Sequence, residues 1–108
     1  MASFDDFWVK LHVELVELSS YSWRGYRDAA ISDGKDFLEK TKDDMQRWCT
    51  MLKDGKLSQD DFALLLVGKK DRAELAALRR RGLPQAALDR YFNELINAVA
   101  ATAHNFFS

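Results

Sequence analysis

The stretch WRGYRDAAISDGKDFLEKTKDDMQRWCTMLK, residues 23–53, decides the fold. Within it Trp23, Tyr26, Ala30, Gly34, Phe37, Thr41, Met45, Trp48 and Leu52 recur every three or four positions, the period of an α-helix. The only proline in the chain, Pro84, lies well downstream. At ~1.5 Å per residue such a helix is roughly 45 Å long. A compact domain of this size has a radius of gyration of about 13 Å, so either the fold is elongated or a second subunit covers the overhang. Ala30 and Gly34 sit four apart on the apolar stripe and suit a close neighbour, although Ser32-Asp33-Gly34 is also where a kink would fall. Asp36–Lys40 and Asp43–Arg47 have the i,i+4 spacing of surface ion pairs. Together Asp33, Asp36, Asp43 and Asp44 read as a solvated face.

Upstream, Ser3 is placed to cap a first helix over about 4–18, with Asp5 and Asp6 in its first turn. Phe4, Phe7, Trp8, Leu11, Leu15 and Leu18 form its stripe, and Val9, Val13 and Val16 fall outside it. A helix apolar over so much of its circumference needs covering on two sides. Ser19-Ser20-Tyr21-Ser22 reads as a turn or a new N-cap before the long helix, set at about 22–54. Gly55 then serves as the left-handed residue that ends it. Ser58 and Asp61 have capping-box spacing for a helix over 58–67, with Phe62, Leu65 and Leu66 inside. A further helix is expected over 70–81, with Leu75 and Leu78 inside, ending at Gly82. Pro84 suits the first position of a last helix, 84–106. That helix carries Leu88, Tyr91, Phe92, Leu95, Val99, Thr102 and Phe106 on one side.

Composition narrows the classes. The chain has 108 residues, 47% hydrophobic, a net charge of −1 and one cysteine. Its length fits one domain, residues 1–108, and its hydrophobic fraction supports a core. Residues 1–61 carry nine Lys/Arg against thirteen Asp/Glu, and residues 62–108 carry seven against four. The halves are complementary, which favours intramolecular packing or antiparallel association. A lone Cys49 excludes an intramolecular disulfide and a cysteine-based zinc site. The opening residues lack the basic and apolar regions of a signal peptide. The longest apolar run, Phe62 to Val67, is far below the ~18 residues of a membrane span. A cytoplasmic protein without a membrane span is expected.

Candidate chemistry is sparse. Lys53 to Phe62 resembles the second half of an EF-hand calcium loop, with Gly55, Leu57 and Asp61 in register. Thr50 and Leu52 would then hold the first and third ligand positions, and leucine cannot ligate calcium. A glycine-terminated helix followed by a serine cap explains every residue of that segment. A di-iron bundle needs Glu-x-x-His, whereas Val9 and Ala101 stand three before His12 and His104. Cys49 lies in a helix interior without an evident base. No phosphate loop or nucleophile elbow is present.

The expectation is therefore an all-α, elongated bundle of four to five helices dominated by a long antiparallel pair, the central and last helices. Its expected function is a non-catalytic helical interaction or structural module that self-associates as a homodimer or higher oligomer and needs no cofactor. The contact residues expected are Phe4, Trp8, Val9, Val13, Val16, Phe106 and Phe107. One rival is a nucleic-acid-binding protein using the basic segment 69–81, through Lys69, Lys70, Arg72, Arg79, Arg80 and Arg81. Against it, the three arginines do not share a helix face, and Asp71 and Glu74 interrupt the segment. A second rival is a carrier of a small apolar ligand between helices.

Overall fold

The computed structural model describes residues 3–108. Five α-helices follow one another: α1 (Phe4–Ser22), α2 (Arg27–Lys53), α3 (Gln59–Val67), α4 (Ala76–Arg80) and α5 (Gln85–Phe107). No strand occurs among the described residues. The Ser3 hydroxyl accepts from the Asp6 amide at 3.1 Å and starts α1 as its position in the sequence implies. The helix then runs through the serine cluster instead of stopping at residue 18. Ser19 turns into the core, and Ser20 accepts from Arg27 Nε at 2.9 Å. The corner comes at Trp23 and the 3-10 turn Arg24–Tyr26, so the long helix starts about five residues later than expected.

Trp23 fixes that corner. Its buried ring meets Tyr91 edge-on at 5.4 Å, and its Nε1 donates to Glu94 Oε1 at 3.2 Å. The Arg90 guanidinium lies 4.8 Å from the ring centre. Burying an indole while satisfying its N–H outweighs the weak helix-breaking signal of the serines.

α2 is continuous through Gly34, with no kink. A Cβ at Gly34 would stand 2.4 Å from Leu15 Cδ1 and 2.8 Å from the Tyr91 hydroxyl. Glycine is there to admit side chains of α1 and α5. Leu15 lies against Gly34, Trp8 lies under Lys42, and Ser3 and Phe4 share a cavity wall with Thr50 and Lys53. Numbers rise on one helix as they fall on the other, so α1 and α2 are the long antiparallel pair.

α5 takes a different direction from the one expected. Its Tyr91 hydroxyl donates to the Ala30 carbonyl, Phe92 meets Phe37 at 5.3 Å, and Phe107 lies beside Cys49 and Lys53. α5 therefore runs parallel to α2 and antiparallel to α1, whose Phe7 touches Phe106 and Phe107. The cause is the connection. Residues 62–81 walk back along α2: Phe62 on Trp48, Lys69 on Asp44, Arg72 on the Lys40 carbonyl, Leu78 on Asp33, Arg81 on the Gly25 carbonyl. The chain thus begins α5 at the end where α2 began.

This returning segment is not the regular helix expected over 70–81. A 3-10 turn (Lys70–Arg72) leads through Leu75, held left-handed at φ 51°, into the five-residue α4. The Asp33 carboxylate accepts from the Ala77 amide at 3.0 Å and the Leu78 amide at 2.8 Å. A side chain from α2 thus supplies the N-terminal cap that the local sequence lacks. Asp33 is buried, not on a solvated face.

The other caps follow the sequence closely. Gly55 has φ +75°, and the Lys56 amide donates to the Met51 carbonyl at 2.8 Å in a Schellman closure. Ser58 and Asp61 form both bonds of a capping box. Pro84 is the N-cap of α5 and not its first helical residue. The molecule measures 42 × 24 × 19 Å. The long dimension matches the ~40 Å of a helix the length of α2. With α1 on one side and residues 62–81 on another, α2 leaves no overhang that calls for a second subunit.

Candidate interaction surface on the first helix

α1 faces two ways. Phe7, Leu11 and Leu15 are buried against α2 and α5. On the far side Val9 is 66% exposed and Val13 42% exposed. Trp8, Val9, His12, Val13, Val16 and Glu17 line one open groove of about 700 Å³. The helical period of 3.6 places Val9, Val13 and Val16 in one row, and no described element packs over Val9 and Val13.

One wall of this groove is held in place. Trp8 stacks on Phe4 at 5.8 Å and meets His12 edge-on at 5.2 Å, with the Lys42 ammonium 4.9 Å from its ring centre. Such a cation over an indole contributes about 0.5–1 kcal/mol at an exposed site. His12 Nδ1 lies 2.8 Å from the Trp8 carbonyl, so that nitrogen is the one that carries the proton and donates. Glu17 lines the other wall, and Lys10 and Glu14 lie outside it. Lys10 pairs with Glu14 at 3.1 Å, and Glu17 has no ion-pair partner among the described residues.

The seven residues expected to act together divide into two groups. Trp8, Val9, Val13 and Val16 belong to the groove. Phe4, Phe106 and Phe107 are half-buried around Phe7 at one end of the bundle, with Phe7–Phe107 at 5.4 Å and Phe106–Phe107 at 6.1 Å. They close the core more than they extend the groove. His12 and Glu17 were not among the residues expected, although their positions beside the valine row could have named them.

A second apolar surface is missing from the expectation altogether. On α3, Leu64 is 68% exposed, and Leu65 and Val67 are exposed as well. Leu65 therefore does not belong to the buried side, which is Phe62 and Leu66. The signal was the unbroken run Phe62 to Val67, because a helix apolar all round cannot bury every side against one neighbour. Leu64 and Val67 border a groove of about 480 Å³ shared with Ile96, Asn93 and Asn97 of α5.

The basic segment is largely engaged by the fold. Lys69 pairs with Asp44 at 3.1 Å and Lys70 with Asp89 at 3.4 Å. Arg72 donates to the Lys40 carbonyl, Arg79 to the Glu74 carbonyl, and Arg81 to the Gly25 carbonyl while lying over Tyr26. Arg80 alone has no partner among the described residues. The Lys69 ammonium, with Arg47 behind it, holds the Asp44 carboxyl below the usual carboxylate range.

Cys49 is buried, and desolvation pushes its thiol up to about 12. At neutral pH it is a protonated, weakly nucleophilic group. Burial, and then the nearby Asp33 charge, also raise the Tyr91 phenol, which hydrogen-bonds within the core. A small cavity of about 240 Å³ near Cys49 is walled by Ser3, Gln46, Thr50 and Lys53 as well as Phe4 and Phe107. Among the described residues no group of three or more His, Cys, Asp or Glu is placed to hold a metal ion. No described helix is long and apolar enough to cross a membrane. No family model matches the chain, and neither does any curated protein or solved structure.

Proposed function

We propose that this chain is a non-catalytic helical interaction module that associates with itself through the outer face of α1. The observation that carries this is the row of exposed Val9 and Val13 with half-buried Val16, beside a tryptophan that is already held in place. Single exposed apolar residues are ordinary on a protein surface. A contiguous apolar row beside an aromatic side chain is less ordinary, since aromatic residues are enriched at contact surfaces. The contact is confined to one face of a nineteen-residue helix, so it belongs with small, reversible interfaces.

Light scattering and native mass spectrometry from about 1 to several hundred micromolar test the proposal. Mass should rise with concentration toward a discrete oligomer. Val13→Glu should keep the chain monomeric with unchanged far-ultraviolet circular dichroism. A wild-type protein that stays monomeric over the whole range would refute self-association.

A further inference from the structure

We propose that the end of the bundle where α1 turns into α2 binds single-stranded nucleic acid, through Arg24, Arg27, Arg80, Arg81 and Arg90 with Tyr21 beside them. Residues 19–28 and 79–94 hold six of the eight arginines of the chain and none of its eight lysines, against three carboxylates. That is a local charge of +3 in a chain of net −1. The two groups lie about fifty residues apart in sequence, and the fold joins them. Arg81 Nη2 donates to the Gly25 carbonyl at 2.8 Å, and its guanidinium lies 5.3 Å from the Tyr26 ring centre. It thereby reaches the stretch of backbone that carries Arg24 and Arg27. Arg90 lies over Trp23, the residue before Arg24.

These cations are held in place but not neutralised. Elsewhere Lys40, Lys69 and Lys70 each meet a carboxylate, at 3.0, 3.1 and 3.4 Å. Arg81 is held instead by a carbonyl and a ring, and Arg27 Nε by the Ser20 hydroxyl. Arg24 and Arg80 are exposed and have no partner among the described residues. Two carboxylates reach the cluster: Asp28, 3.4 Å from Arg27, and Glu94, 3.7 Å from Arg90 and shared with Trp23 Nε1. Asp89 is taken by Lys70, and Glu17, the next carboxylate back along α1, lines the valine groove. Anchoring by neutral groups leaves the charge for a partner and lowers the ordering cost of binding one.

The chemistry selects the partner. A guanidinium presents a planar fork of donors that matches phosphate oxygens, and the cluster uses no other cation. Tyr21, 80% exposed, adds an aromatic face beside these forks. Such a face stacks an unpaired base, whereas a duplex keeps its bases stacked on one another. A lipid surface would call for exposed aliphatic side chains at the same place. Among the large apolar side chains exposed in the described residues, Tyr21 alone lies at this end.

Fluorescence anisotropy with a labelled oligothymidylate of about twelve nucleotides tests this on the whole chain. Binding is expected at low salt, and log affinity should fall with log salt at a slope of about −2, as for about three phosphates of a single strand. Arg24→Gln combined with Arg80→Gln removes two guanidiniums that hold nothing in the fold. That pair should weaken binding about tenfold or more and reduce the slope to about −1. Tyr21→Ala should weaken binding about five- to a hundredfold and keep the slope. Lys53→Gln with Lys56→Gln, at the other end of the bundle, should bind as wild type. No salt-dependent binding by wild type at about 100 micromolar protein would overturn the proposal. So would wild-type affinity in the arginine pair variant with its circular dichroism unchanged. Equal affinity for phosphatidylserine vesicles, with no loss on Tyr21→Ala, would overturn it too, since the end would then be a surface for anions of any kind.

Discussion

Replacing Gly34 with alanine gives the sharpest test of how the three long helices meet. In an exposed helix this change stabilises by about 1 kcal/mol, because alanine has the better helix propensity. At Gly34 the added carbon would stand 2.4 and 2.9 Å from the two Leu15 methyls and 2.8 Å from the Tyr91 hydroxyl, so all three must move. Neither neighbour can yield freely. Leu15 is fully buried, and the Tyr91 hydroxyl is held by the Ala30 carbonyl one turn before Gly34. Overpacking a filled core costs about 1–3 kcal/mol. Losing the bond of a buried hydroxyl adds about 1–3 kcal/mol. Against the propensity gain, the net destabilisation is about 1–5 kcal/mol, with about 2–3 as the central value. Urea unfolding followed by circular dichroism reads it. Gly25→Ala is the control, since an added Cβ there meets nothing within 4 Å, and it should lie close to wild type. A Gly34→Ala protein as stable as wild type, or more so, would refute the close approach of Leu15 and Tyr91.

Three other perturbations have outcomes set by the same structure. Asp33→Ala leaves the Ala77 and Leu78 amides without their acceptor and should cost about 2–4 kcal/mol, as a lost cap plus a buried orphan donor, whereas Asp36→Ala at the surface should cost under about 0.5 in the same urea titration. Asp44 has a lowered native pKa, so its contribution to stability is complete above the ordinary carboxylate range and fades as pH falls through the native value; Lys69→Met should raise the Asp44 midpoint measured by carbon NMR and shrink that acid-side loss. Burial raises the Cys49 thiol from 9.0 to about 12, so its contribution is complete below pH 9 and is lost as pH rises through that window. At pH 8 its labelling by a disulfide reagent should proceed only at the rate of protein opening, and fast labelling in native buffer would contradict its burial.

The caps and stripes were legible because they are local. Ser3, Gly55 and the Ser58–Asp61 box act within four residues of themselves, and the apolar period of residues 30–52 and 88–103 can be read without knowing any neighbour. What could not be read depends on partners distant in sequence. The serines at 19–22 look like a turn until Trp23 finds Tyr91 and Glu94, about seventy residues later. Asp33 looks like a surface acid until α4 needs a cap. The direction of α5 turns on whether residues 62–81 fold back along α2, and the sequence marks that return only by its charge. The acidic first half and the basic second half foretold that they would meet, as at Lys69–Asp44, but not along which line.

Three features suggested association, and the structure distributes them unequally. The length of α2 is covered from within the chain, and Phe106 and Phe107 close over Phe7. The outer valines of α1 remain, and they could meet either of two surfaces. Against the exposed leucines of α3 the contact would join unlike faces, and unless the rotation closed, copies would add without end. The groove beside Leu64 offers Asp60, Asn93 and Asn97 but no cation, so Glu17 would find no opposite charge there. Against a second copy of itself, α1 would set its exposed valines on valines. That arrangement uses the same face on both molecules, so it closes at two.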